Sequence, residues 1–486
     1  MIKNRFYILV ISSYLVSYFS ILIRFLQHDL NVNQSFDSFF FNSDAVFFGN
    51  FAKDVISNNE DFSNWMLAGA PEIFPTIFLS FLIPFITKNY FISQIIFVII
   101  QLVIFNILFI SIINFFTEKR YAMISGVLLN IILIFFLFEK PYNYIFLASH
   151  HFGCFLNFLI CVFFVLYKGI DKIINSTFLC FLLFFFTFSN PILISYFVIP
   201  LVLCLQYFSN IKGITLKNIS FIISAFCGYY FKKNIYFHNC GDCINTYQTM
   251  DNIYFDSIFI SLYHIKAFFF SLGNFIQNFI LLLTLIIFII YSVKFFLKSK
   301  TKNQSRNKKY LFIFFLFLSS SLTVISFLFL NMNPQFRHLY TLYFSIFLII
   351  PIISFKHIKN LILTFKNRII LCLFGITLFL SFFNFDYNKK INFEYYPKDI
   401  YFIDKVLHKY NLNHGYAKWE YCNRLIFLSK RNLTVLPYHK KKPLHWDTNI
   451  KWINKKPQFL INLDPNNFGY KKFKTITEGN INIHIL

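Results

Sequence analysis

Residues 90–116 read YFISQIIFVIIQLVIFNILFISIINFF, twenty-seven positions without one Asp, Glu, Lys or Arg. A helix of this length rises about 40 Å, enough to cross the ~30 Å hydrocarbon layer of a bilayer. In lipid the backbone must satisfy its own hydrogen bonds, so such a run has to be helical. Further apolar runs lie at about 6–27, 121–138, 151–167, 174–189, 191–207, 217–232, 273–296, 310–330, 338–355 and 369–385. The chain of 486 residues is 57% hydrophobic and 22% aromatic, with 74 Phe and 14% charged residues. A soluble domain carries about 25% charged residues. The expected fold is mainly α, a polytopic helical membrane bundle of about eleven spans.

The formal charge is +24. An excess of this size suits nucleic acid, but here much of it sits in short joints between apolar runs, so no nucleic-acid partner is expected. The dense joints are Lys119–Arg120, Lys168–Lys172, Lys212–Lys217, Lys294–Lys309 and Lys356–Arg368. All five face the cytoplasm if the N-terminus is inside and 73–87, short and broken by Pro75 and Pro84, is re-entrant or interfacial. The basic start followed by residues 6–27 reads as an uncleaved first span, since no small-residue cleavage site follows. The expected location is a bacterial inner membrane, crossed many times, with the C-terminus outside.

Two domains follow from this pattern. Residues 1–385 form the transmembrane domain, with outer loops 28–72 and 233–272. Residues 386–486 have no spanning run and form a small α/β or α+β extracytoplasmic domain. Within it Lys405–Tyr410 reads as helix, and Leu425–Leu428, Leu433–Pro437 and Gln458–Leu463 as strands. Six of the nine cysteines fall in apolar runs and read as small core residues. Cys240 and Cys243 form a Cys-Gly-Asp-Cys in a polar loop, better suited to a disulfide or a thiol pair than to a zinc site, which needs more ligands.

The polar residues at the outer lip are the candidate site. Asp44, flanked by large apolar residues, and Asp54 are acids able to take a hydroxyl proton or hold a divalent cation. Trp65 and Glu72 follow in the same loop. His150 and His151 open a span; on a helix adjacent residues point in different directions, so one metal for both is not expected. Ser189-Asn190-Pro191 is a tight polar turn. Arg337 stands in an outer joint and has the donors to hold a phosphate. The chain has no P-loop, nucleophile elbow or His-Glu-Xaa-Xaa-His.

Taken in order, Asp44 with Asp54, Trp65 with Phe74-Pro75, His151-Phe152-Gly153, Ser189-Asn190-Pro191, Arg337 and the tail Leu412–Trp419 resemble the GT-C superfamily of polytopic membrane glycosyltransferases. Two positions depart from it: Asn190 stands where an acid is expected, and Thr76 follows Phe-Pro where an acid is expected. The resemblance implies transfer of a sugar from a polyprenyl-phosphate donor to a glycan or lipid acceptor at the outer leaflet. Asp44 is then the base and Arg337 the phosphate ligand, and attack opposite the leaving phosphate inverts the anomeric centre. A lipid or polysaccharide flippase, or carrier, explains the spans equally well. It does not explain a soluble outer domain or polar clusters on one face. A polysaccharide polymerase shares the outer-face site.

Overall fold

A computed structural model of the chain describes residues 2–27, 40–41, 43–67, 72–135, 137, 145–148, 152–208, 216–237, 283–291, 293–294, 304–329, 339–439, 442–443, 448–453 and 455–486. It is mainly helical, with a small sheet region near the C-terminus. The helices are α1 (Ile2–Leu26), α2 (Ser43–Ser57), α3 (Phe78–Thr87), α4 (Tyr90–Phe116), α5 (Lys119–Phe135), α6 (Phe152–Lys168) and α7 (Ile173–Ser189). They continue with α8 (Ile199–Phe208), α9 (Leu216–Phe237), α10 (283–291), α11 (Gln304–Phe329) and α12 (Tyr340–Asn384). Each apolar run expected to span falls mainly on helix over its described residues. Among the described residues, five segments are long and apolar enough to cross a bilayer: Arg5–Leu26, Tyr90–Phe116, Lys308–Ser326, Tyr340–Asn360 and Asn367–Asn384.

The first helix shows what kind of solvent the bundle suits. Ile8, Ile11, Leu15 and Phe19 form one stripe at helical spacing and are 57–64% exposed. The opposite face buries Ser13, Ser17 and Ser20. Ser13 and Ser17 donate to carbonyls one turn back, Leu9 O and Ser13 O, both at 2.8 Å. Water would favour the reverse arrangement. Lipid favours small residues between helices and large apolar ones outside.

The helices share two distinct ends. At one, Lys359 pairs with Glu118 at 2.6 Å. Lys217 Nζ donates to Ile170 O at 3.1 Å and Asp171 O at 3.0 Å. Phe116 stacks on Phe312, just past Lys308 and Lys309. The basic joints therefore gather at one end. At the other, Glu72 N donates to Ser189 O at 3.0 Å, and Gln27 Nε2 to Asp386 O at 2.9 Å. Residues 73–87 begin and end at this second end: Glu72 sits at the top of α7, and Asn89 caps the start of α4. Their ten-residue helix α3 is only about 15 Å long, so the segment does not run from end to end.

The expected loop at Lys356–Arg368 carries helical hydrogen bonding instead, within the 45 residues of α12. It contains no Gly or Pro to interrupt the local pattern. The contacts nevertheless exclude a straight rod. Phe344 packs on Phe105 and Lys359 on Glu118, so the first half of α12 runs beside α4 toward the basic end. Asn89 Nδ2 donates to Phe393 O, and Tyr395 lies on Phe91, at the opposite end of α4, about 40 Å away. A straight continuation would carry Asn384 about 36 Å beyond Glu118. The few residues from Asn384 to Phe393 cannot span the return. The chain therefore bends back near Lys359–Asn367, and the two halves of α12 run in opposite directions.

The C-terminal region holds α13 (Lys398–Lys409) and a six-stranded sheet. In the sheet β2 (His414–Lys418) lies parallel to β3 (Thr434–His439) and to β6 (Phe459–Ile461). β4 (Lys442–Pro443), β7 (Lys474–Glu478) and β8 (Ile481–Ile485) complete it in antiparallel fashion. Leu425–Leu428, expected as a strand, belongs to helix α14 (Trp419–Leu428). Its apolar residues are buried on all sides, between α2 and the sheet. A short continuous apolar run carries no periodicity to separate such a helix from a strand. Helix α14 is the crossover that joins the parallel strands β2 and β3.

The bend in α12 is testable by thiol labelling in sealed vesicles. In a chain cleared of its nine native cysteines, Lys359→Cys and Tyr387→Cys should react with a membrane-impermeant maleimide from opposite faces. Labelling of both from one face would overturn the reversal.

Candidate functional site

Helix α2 carries Asp44 in its first turn and is held along one face by the C-terminal region. Asn50 Nδ2 donates to Asn423 Oδ1 at 3.1 Å. Lys53 Nζ donates to Ile426 O, Phe427 O and Ser429 O at 2.9, 3.3 and 3.3 Å. These are carbonyls at the C-terminal end of α14, where helix carbonyls lack partners and a cation is favoured. Asp54, buried, takes Trp65 Nε1 on Oδ2 at 2.8 Å, Asn449 Nδ2 on Oδ2 at 3.1 Å and Asn58 Nδ2 on Oδ1 at 2.8 Å. Asn449 belongs to β5 (Thr448–Asn449), which pairs with β1 (Trp65–Met66). Trp65 also meets Trp452 edge-on. Asp54 and Trp65 are thus brought together, and what they do here is bind the first polar segment to the last hundred residues.

Glu72 and Asn190 meet elsewhere, at the top of α7. Glu72 is 4% exposed and has φ +48°, a left-handed backbone that is rare for Glu. Strain of this kind concentrates at functional sites. Thr76 Oγ1 donates to Glu72 Oε2 at 3.2 Å. Asn157 Nδ2 donates to Phe74 O at 2.8 Å, while its buried Oδ1 has no partner among the described residues. Ser189 Oγ is within 3.2 Å of Phe74 N. Asn190 Oδ1 accepts from Ile192 N at 3.1 Å, the side-chain bond that shapes an Asn-Pro turn. A Cβ on Gly153 would stand 2.9 Å from both Pro75 Cδ and Thr76 Oγ1, so this position needs glycine.

The remaining candidates are located through their neighbours. Asp44 lies on the backbone of α2, and the next carbonyl, Ala45 O, accepts from Gln94 Nε2 at 2.6 Å. Gln101, two turns further along the same face of α4, donates to Ile145 O at 2.9 Å and Leu147 O at 3.1 Å. His150, His151 and Arg337 lie outside the described residues, as do Cys240 and Cys243. Phe152, next after His151, packs edge-on against Tyr340, which begins α12 three residues after Arg337. Thr341 keeps a buried hydroxyl without a partner among the described residues. The described neighbours of these candidates are linked in pairs: Glu72 to Ser189, Gly153 to Pro75 and Thr76, and Phe152 to Tyr340, toward the end of the bundle opposite the basic joints, called the mouth below. Among the described residues no three His, Cys, Asp or Glu side chains gather as a metal set.

Sequence reasoning missed Lys53, Asn449 and Asn157. Lys53 had a signal: it is the only Lys or Arg in residues 28–72. The others are single polar residues whose partners lie far along the chain. Searches of family models and of curated proteins find no match to this chain.

Burial lowers the Lys53 ammonium from its ordinary 10.5 to about 8, against a smaller opposing pull from Asp404. Above pH 8 the folded protein has lost this proton while the unfolded chain keeps it until about 10.5. Unfolding then takes up a proton, so the Lys53 contribution to stability rises with pH through that window. Thermal unfolding from pH 7 to 10 should show wild type gaining on Lys53→Met by on the order of 1–3 kcal/mol. A difference independent of pH would contradict it.

Proposed function

We propose that the chain is a GT-C-type membrane glycosyltransferase, moving a sugar from a polyprenyl-phosphate donor to a hydroxyl of a glycan or lipid acceptor. In this reading about eleven apolar helices cross a bacterial inner membrane, with the basic end in the cytoplasm. The mouth and the C-terminal domain then face outward. The observation that supports the reading best is that the neighbours of the candidate residues are linked in pairs toward one mouth, beside a C-terminal domain fastened to α2.

The chemistry asked of the residues is modest. Asp44 accepts the proton of the acceptor hydroxyl as its oxygen attacks the anomeric carbon. The bond to the phosphate oxygen breaks on the opposite side, inverting the centre, and the electron pair leaves with polyprenyl phosphate. Arg337 holds that anion. Unpartnered polar atoms on Asn157 and Thr341 at the same mouth are suited to sugar hydroxyls. Glu72 and Thr76 frame the opening, and Asn190 sets the turn beside it. A divalent cation on the acids is compatible with the same step.

The test is release of polyprenyl phosphate from a labelled polyprenyl-phosphate sugar by purified protein. Asp44→Asn should lower release at least about a hundredfold, the scale of losing a general base, with unchanged expression and unfolding temperature. Full activity in that variant would sink the assignment of the base. Wild-type protein that binds the donor without releasing polyprenyl phosphate would favour a carrier.

A further inference from the structure

We propose that β7 is a pairing edge: two copies of this chain join their sheets through it, antiparallel and two-fold symmetric about Ile476. The sheet runs β4-β3-β2-β6-β8-β7, so β4 and β7 are its edges. An open edge is a template for another strand, and proteins commonly shorten or block it. β4 is blocked: it has two residues, one of them Pro443, which has no N–H to give. β7 has five residues and no Pro, with Ile476 half-buried and the other four exposed. Among the described residues its single partner strand is β8. Neither strand nor register depends on the transferase reading.

The backbone groups at the open edge can be named. In an antiparallel strand the N–H and C=O of one residue point to the same side, and the side alternates along the chain. Asn482 O accepts from Asn462 N at 2.9 Å, on the β6 side, so Asn482 turns its peptide groups away from β7. Thr477, opposite Asn482 in the ladder, then turns its own away from β8. Thr475, two residues back, does the same. The N–H and C=O of both threonines therefore line the outer edge. Their hydroxyls are held within the sheet, Thr475 Oγ1 at 2.8 Å from His484 Nδ1 and Thr477 Oγ1 donating to Asn482 Oδ1 at 2.8 Å.

The side chains suit a second copy of the same strand. With Ile476 opposite its counterpart, Thr475 faces Thr477 and Lys474 faces Glu478, at both ends alike. Each threonine pair exchanges two backbone hydrogen bonds. Lys474, Ile476 and Glu478 share the other face of the strand and take non-hydrogen-bonded positions, where side chains come closest. Two opposite-charge pairs then flank an isoleucine pair. Parallel pairing in register would set lysine against lysine and glutamate against glutamate. Lys474 Nζ lies over the neutral Tyr410 ring, 5.2 Å from its centre, so a carboxylate from a second copy adds the opposite charge. Five residues a side fall short of the about 20–30 a side of a stable interface, so the pairing depends on two copies held in one membrane. Its two-fold axis is perpendicular to the sheet, and the sheet is stacked through α14 and α2 on the first turns of α4. Copies inserted side by side with the same end outward can then meet edge to edge.

The experiment uses the full chain, cleared of its nine native cysteines, in the membranes of expressing cells under mild oxidation. Ile476→Cys should give a covalent dimer, because non-hydrogen-bonded partners stand about 4.5 Å apart at Cα, within reach of a disulfide. Thr475→Cys, which faces Thr477 and not its own counterpart, should give at least about fivefold less. Adding Lys474→Glu to Ile476→Cys should lower the dimer at least about fivefold by setting glutamate against glutamate. Adding Glu478→Lys as well should restore it to within about twofold. A sheet that had merely unfolded in Lys474→Glu would not be rescued in this way. No dimer with Ile476→Cys, an equal yield with Thr475→Cys, or a charge swap that fails to restore the dimer overturns the pairing. A disulfide from Ile476→Cys to a different protein assigns the edge to that partner and overturns the second copy.

Discussion

The carboxylate of Asp54 is the joint on which the upper half of the molecule depends. Buried and met by three neutral donors, it ties α2, Trp65 and β5 into one unit. A carboxylate out of water is tolerated because its lone pairs are filled by hydrogen bonds. Lys53 one residue earlier does the complementary task, giving its protons to the carbonyls at the end of α14. An acid and a base at adjacent positions thus dock one face of α2 without pairing with each other. The helix that carries Asp44 is consequently placed by the C-terminal region and not by the bundle alone.

The helices were largely legible in the sequence because apolar runs bounded by charge have few alternatives in lipid. The gathering of basic joints at one end was legible for the same reason. Three features were not. The helix at Leu425–Leu428 is buried on every side, so its pattern has no period. The helical hydrogen bonding through Lys356–Arg368 is local, whereas the bend there is imposed by partners at Asn89 and Glu118. The docking of Asn50 on Asn423 joins residues 373 positions apart, a pairing that no local rule contains.

The candidate site divides in the same way. Asp54 and Trp65 were singled out together and are together, but in a clasp between segments. Glu72 and Asn190 were singled out separately, and their segments meet through Glu72 N and Ser189 O. What made them legible was residue type at a turn. What hid their neighbours was the reverse: Asn157 and Thr341 look like ordinary polar residues inside apolar helices, and only a buried oxygen with no partner among the described residues distinguishes each. Gly153 reads as part of a short motif, and its reason proves to be contact distance to Pro75 and Thr76.

The pairing of β1 with β5 sets an order of events during synthesis. Trp65 finds its partner Asn449 only after nearly four hundred further residues have been made. At about 5–20 residues per second, that interval is roughly 20 to 80 seconds. Until then α2 can dock on α4 and, once made, on α14, but Asp54 lacks the donor from Asn449. The apolar helices are made first, and the β1–β5 pairing can form only when β5 arrives. A chain cut short anywhere before β5 lacks the β1–β5 pairing and the Asn449 donor to Asp54.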